Sequence, residues 1–222
     1  MPDTFSWYAE AESASRAPVI FGICDSGTSP KNFSVMCMRF GETKESLPAP
    51  RSACPAAETA FLISAEGQAL RGAGRLSFVS PNLMHITLKF FGEVSESQIP
   101  KITSALDALS ASAYQLNVSG ISTFGRPPRV IKAEVHDGGA TASLAADVES
   151  RLAKLGIPRE DKPFSPHITL ARVKEYSPAL QPKIAAIKER DFGTCEISSV
   201  LLKKSVLTPS GPIYTTLYQK NL

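Results

Sequence analysis

Two copies of one tetrapeptide carry the chemistry that this chain can offer. His85-Ile86-Thr87-Leu88 recurs as His167-Ile168-Thr169-Leu170, and two of the three histidines in 222 residues sit in these copies. Histidine is the side chain whose ordinary pKa lets it give or take a proton near neutral pH. Two imidazoles facing one cleft can divide that work, one neutral as base and one protonated as acid. Displacement at phosphorus needs both, because a nucleophile attacks in line while the leaving oxygen takes up a proton. Thr87 and Thr169 would donate hydrogen bonds to non-bridging phosphate oxygens. Arg172, three residues past Thr169, could neutralise charge that grows in the transition state.

A two-histidine metal site usually wants a further His, Cys or carboxylate ligand. Cys195 or Asp161 would serve only by accident of folding, so neither metal nor cofactor is expected. Phe90 and Arg172 each lie five residues beyond a motif histidine. In a regular strand that odd offset puts them on the opposite face, and Phe90 could stack on a base only if a twist or bulge intervenes near Lys89. His136, before a Gly-Gly turn, reads as a surface residue. Lys89 and Lys174 read as solvated strand charges that add weak attraction for a phosphate-bearing ligand.

The elements that must position these groups follow from periodicity. Each motif alternates polar and apolar residues, the strand period. His85 and Thr87 therefore share one face, with Ile86 and Leu88 on the other, and the second copy repeats the split. Thr59–Ser64 reads as a buried strand, Glu66–Arg71 as one or two helical turns stopped by Gly72 and Gly74, and Arg75–Val79 as a second strand. A helix capped by Ser97 carries Ile99, Ile102, Leu106 and Leu109. Strands are predicted over 114–122 and 129–136, and a helix over 141–155 with Leu144, Val148, Leu152 and Leu155 in its stripe. A strand over 165–174, a helix over 178–190 and two strands over 196–206 and 213–219 complete the chain. Strands joined by short turns, with helices between, argue for an α+β fold with mostly antiparallel sheets. One motif in each half suggests an internal duplication.

The composition is that of an ordinary folded domain, 43% hydrophobic and 20% charged. No apolar run reaches the roughly 18 residues of a membrane helix. Pro18–Cys24 is short for a signal-peptide core, so a cytosolic protein is expected. The four cysteines form no Cys-x-x-Cys pair and read as free thiols. Residues 1–58 contain five Lys/Arg against seven Asp/Glu, the remainder nineteen against fourteen. That mildly basic body suits a phosphate-bearing ligand but does not by itself indicate nucleic acid. Nothing demands oligomerisation, and a monomer is expected.

The flanks of both motifs extend the pattern. Val79-Ser80-Pro81-Asn82-Leu83-Met84-His85-Ile86-Thr87-Leu88-Lys89-Phe90-Phe91-Gly92-Glu93-Val94, Phe164-Ser165-Pro166-His167-Ile168-Thr169-Leu170-Ala171-Arg172 and Leu207-Thr208-Pro209-Ser210-Gly211-Pro212-Ile213-Tyr214 together resemble the 2H phosphoesterase superfamily. Within it the chain is most similar to the RNA 2′,3′-cyclic phosphodiesterases, also called 2′-5′ RNA ligases. The likeness runs from about Arg75 to the C-terminus. It implies a bilobal, duplicated α+β fold with two mostly antiparallel sheets around a central cleft, one His-x-Thr strand per lobe. It implies metal-independent opening of an RNA terminal 2′,3′-cyclic phosphate to a 2′-phosphate, with slow reversible 2′-5′ joining in some members. Under it His167 is assigned as the base, His85 as the acid, Arg172 as the arginine after the second motif and Phe90 as the partner of the terminal base. Substrates would be RNA ends or small nucleotides carrying a cyclic phosphate. A binding module without turnover is the reading of another class, and the intact histidines and threonines argue against it.

The family opens with a strand and a long amphipathic helix ahead of the stretch at Arg75. Phe61–Ser64 could be that strand, but Ala65–Gly74 is too short for that helix. The chain is therefore divided into an atypical, poorly ordered extension over 1–58, where only Pro18–Cys24 and Ser34–Phe40 could be short strands, and the phosphoesterase domain over 59–222.

Overall fold

A computed structural model describes residues 32–40, 56–208 and 211–222. The elements in chain order are β1 (Asn32–Phe40), α1 (Ala56–Gln68), β2 (Gly74–Phe78), β3 (Ile86–Gly92), α2 (Ile99–Asp107), β4 (Tyr114–Phe124), β5 (Val130–His136), α3 (Ala140–Ala153), β6 (His167–Tyr176), α4 (Leu180–Ile187), β7 (Asp191–Thr208) and β8 (Gly211–Asn221). The α+β class holds, but the strands form one sheet rather than two. Its order is β2-β6-β5-β4-β7-β1-β3, with β8 also on β7, and every pairing between these strands is antiparallel.

The single sheet is a consequence of β7. Its first part, Asp191–Ile197, pairs with β4, while Ile197–Val206 pairs with β1 and Ser199–Thr208 with β8. One strand of 18 residues thus belongs to both halves and carries the ladder across. The sequence pattern shows only its second part. Gly193, at φ +87°, interrupts the alternation just where the link to β4 forms.

The second correction lies upstream of β2. Thr59–Ser64 is not a strand, and Glu66–Arg71 is not a separate short helix. Both are replaced by α1 and the turn that follows it. Thr59, Ala60, Ile63, Gly67 and Leu70 are buried, whereas Phe61 and Leu62 are exposed, which is the helical period. Ala, Glu, Leu and Gln dominate the segment and favour helix. The helix that seemed too short over Ala65–Gly74 is thus α1, begun earlier. β1, predicted over Ser34–Phe40, pairs with β3 on one edge and β7 on the other. The division at residue 58 falls inside α1. Pro18–Cys24, and the order of 1–31 and 41–55, lie outside the described residues.

The helices clamp the sheet from behind the motif strands. On α1, the Thr59 hydroxyl donates to the Phe192 carbonyl at 3.1 Å. A Cβ at Gly67 would sit 2.9 Å from Leu170 Cδ1, so glycine permits close approach to β6. α2 packs on α3, α3 on β3 and α4 on β4. The caps differ in detail from expectation. Ser95, rather than Ser97, forms a capping box with Gln98 ahead of α2. Among the described residues no helix is long and apolar enough to cross a membrane.

Candidate active site

Both motif histidines are held in the same way. The His85 Nδ1–H donates to the Leu83 carbonyl at 2.8 Å, and the His167 Nδ1–H donates to the Ser165 carbonyl at 2.8 Å. A carbonyl can only accept, so Nδ1 carries the proton and, in the neutral ring, Nε2 keeps its lone pair. The Thr87 hydroxyl lies 3.2 Å from His85 Nε2 and donates to it. Pro81 opens the 3-10 turn that ends at Leu83, and Pro166 stands between Ser165 and His167.

The strands then break register at matching places. On β3, Thr87 pairs with Cys37 and Lys89 with Met36, leaving Leu88 as an extra residue. On β6, Thr169 pairs with Lys132 and Ala171 with Ile131, leaving Leu170 extra. Each bulge follows its threonine and puts two consecutive residues on the buried face: Leu88 with Lys89, and Leu170 with Ala171. Past the bulge the alternation is inverted. Phe90 and Arg172, wrong-faced in a regular strand, return to the side of His85/Thr87 and His167/Thr169.

Burial differs between the two halves. His85 is fully buried, whereas His167 is partly exposed. Burial, then the Lys203 ammonium, then His167 hold His85 well below the usual histidine range. His167 is lowered too, by burial first; its bond to Ser165 opposes this, and Lys132 and Arg172 add to it. Both imidazoles therefore rest neutral near pH 7, and each feels cations that suit a bound anion.

Three residues near His167 escaped the sequence reading. Lys132 is buried, donates to Glu134 Oε1 at 3.1 Å, and stands 4.8 Å from the Phe124 ring centroid. Glu134 also accepts from the Ser122 hydroxyl at 2.6 Å and pairs in register with His167. Phe124 meets the His167 ring edge-on, centroids 5.0 Å apart. The available signal was Lys132-x-Glu134 on the polar side of a strand, but only strand register shows that this side faces the motif. Lys203, buried in the Leu-Leu-Lys-Lys run of β7, offered no signal. His136 stands apart, with Nε2 3.2 Å from the Ser119 carbonyl.

Lys89 corrects an expectation. It is not a solvated charge: it is buried, with Nζ 2.7 Å from the Pro158 carbonyl, 2.8 Å from Glu149 and 3.3 Å from Glu160. The bulge at Leu88 turns it toward α3. Lys174 is exposed.

An antiparallel α+β sheet carrying two matched His-x-Thr strands defines a class of paired-histidine proteins. Comparison with known families narrows it. Residues 55–132 and 136–214 match the family described as LigT like Phosphoesterase, and the chain belongs to that family. A curated relative from Archaeoglobus fulgidus, named RNA 2′,3′-cyclic phosphodiesterase, is 36% identical over 67% of this chain and 85% of its own length. One of the same name from Aeropyrum pernix is 39% identical over 61% of this chain and 80% of its own. Among solved structures, TT0787 of Thermus thermophilus superposes with a TM-score of 0.68 at 26% identity, covering 86% of this chain and 97% of that one. E. coli LigT complexed with 3′-AMP gives 0.65 at 22% identity over 87% and 99%, a likeness of fold.

Proposed function

We propose that this protein hydrolyses the terminal 2′,3′-cyclic phosphate of RNA to a 2′-phosphate, without a metal. The observation that carries the reading is the doubled unit: a histidine with Nδ1 tied to a backbone carbonyl, a threonine two residues on, a bulge, and a recognition residue at the fifth position. The names of the curated relatives supply the substrate. In this reading the two halves of the sheet act as pseudo-symmetric lobes with the phosphate between them.

His167 takes a proton from water as the water oxygen attacks phosphorus. The P–O3′ bond breaks, and His85 delivers a proton to the departing 3′ oxygen. The phosphate stays on the 2′ oxygen. Burial and Lys203 keep His85 neutral in the free protein, so His85 takes up its proton from solvent when the substrate binds and its anion offsets the lysine field. On substrate binding the Thr87 hydroxyl turns from His85 Nε2 to the phosphate and with Thr169 holds the non-bridging oxygens, Arg172 answers the growing charge, and Phe90 stacks on the terminal base. A 5′-hydroxyl in place of water would give a 2′-5′ linkage by the same displacement.

The test is product analysis. An oligonucleotide ending in a cyclic phosphate, incubated in EDTA, should yield the 2′-phosphate. His85→Ala and His167→Ala should each lower kcat by about 10²–10⁴ or more. A 3′-phosphate product, or full activity in either variant, overturns the proposal.

A further inference from the structure

A pocket of about 560 Å³ lies at the β4–β5 turn, lined by Phe124, Gly125, Arg126, Pro127, Tyr176 and Gln181 among others. Its size falls within the roughly 300–1,000 Å³ of small-ligand sites. Phe124 joins it to the motif, because the same ring that meets His167 edge-on at 5.0 Å also lines the pocket. Phe124 and Tyr176 are 37% and 40% exposed, unusual for aromatics at the end of β4 and β6. Arg126, in the same wall, is exposed.

The wall is built rather than loose. The Arg129 N–H closes the β4–β5 turn on the Phe124 carbonyl at 2.7 Å. Gly125, at φ +90°, has the Pro127 carbonyl oxygen 3.0 Å from where a Cβ would stand, so only glycine suits the turn. Two exposed aromatics and a cation lining one pocket match the needs of a nucleotide unit: a π-face for the base and a positive charge for its phosphate.

We infer that this pocket binds the nucleotide on the 5′ side of the terminal one, making the protein selective for an RNA strand over a cyclic mononucleotide. The inference rests on the reading proposed above. The terminal base is assigned to Phe90 in the first half, and the strand that continues from the terminal ribose 5′ oxygen is assigned to this pocket, which Phe124 joins to His167. It therefore receives nothing when the substrate is one nucleotide long.

The experiment compares a dinucleotide ending in a 2′,3′-cyclic phosphate with 2′,3′-cyclic AMP, for wild-type protein and the double variant Arg126→Ala/Tyr176→Ala. Both side chains are exposed and outside the motif, so folding should be kept. Wild-type protein should prefer the dinucleotide. The variant should lose about 10–100-fold in kcat/KM on the dinucleotide, mostly through KM, as one lost stacking contact implies, and should hydrolyse cyclic AMP unchanged. An equal loss on both substrates, or no loss on either, overturns the inference. Failure of the underlying reading looks different, since wild-type protein would turn over neither substrate. The pocket is then judged by binding of a dinucleotide bearing a terminal 2′-phosphate, and undiminished affinity in the variant overturns it.

Discussion

Phe90 and Arg172 occupy equivalent places, each five residues beyond a motif histidine and just past a bulge, Leu88 in one strand and Leu170 in the other. In the proposed site the same backbone device brings an aromatic to one half and a guanidinium to the other. Their kinetic signatures should differ accordingly. Arg172→Lys keeps the charge but loses the forked donors, so kcat should fall about 10²-fold with KM little changed. Phe90→Ala should chiefly raise KM, by about 10-fold or more for a stacked base. Steady-state kinetics on an oligonucleotide ending in a cyclic phosphate separates the two. A kcat loss confined to Phe90→Ala would reverse the assignments.

The buried state of His85 has a consequence for stability. Its folded pKa lies below the unfolded value of about 6.5, so the unfolded chain binds the proton more readily. Stability should be fully present above about pH 6.5 and decline as pH falls toward the folded pKa. His85→Asn should flatten that decline between about pH 7 and 5. Thermal melting at half-unit pH steps provides the check, and parallel curves for the two proteins would contradict the burial argument. Inorganic phosphate, by supplying an anion against Lys203, should soften the wild-type decline.

The motif faces were legible in the sequence because a strand needs only period two to assign His85 with Thr87 and His167 with Thr169. The fold class followed from the same periodicity. The face of Phe90 and Arg172 was not, because neither bulge is marked by glycine or proline; ordinary leucines occupy both. α1 was obscured by Thr-Ala-Phe-Leu-Ile-Ser, whose exposed Phe61 and Leu62 make a helix resemble a buried strand. The single sheet was hidden by Gly193, which made the start of β7 look like a turn. Lys132 and Lys203 lacked any local cue, since their importance lies in strand register alone.

Lys89 shows how the bulge also secures the strand. Its ammonium reaches Glu149 on α3 at 2.8 Å and the Pro158 carbonyl at 2.7 Å. Glu149 is only 18% exposed at its side chain, so removing the lysine strands a mostly buried carboxylate. Glu160, 54% exposed, adds little. Lys89→Met should therefore destabilise toward the lower end of about 3–5 kcal/mol. Adding Glu149→Gln should recover part of that loss, because the stranded charge is gone. Urea unfolding of the two variants tests the pair, and a double variant less stable than Lys89→Met would show that charge burial is not the cost. Below the unfolding transition Lys89→Met should leave the salt dependence of KM unaltered, as expected for a cation that faces α3 rather than RNA.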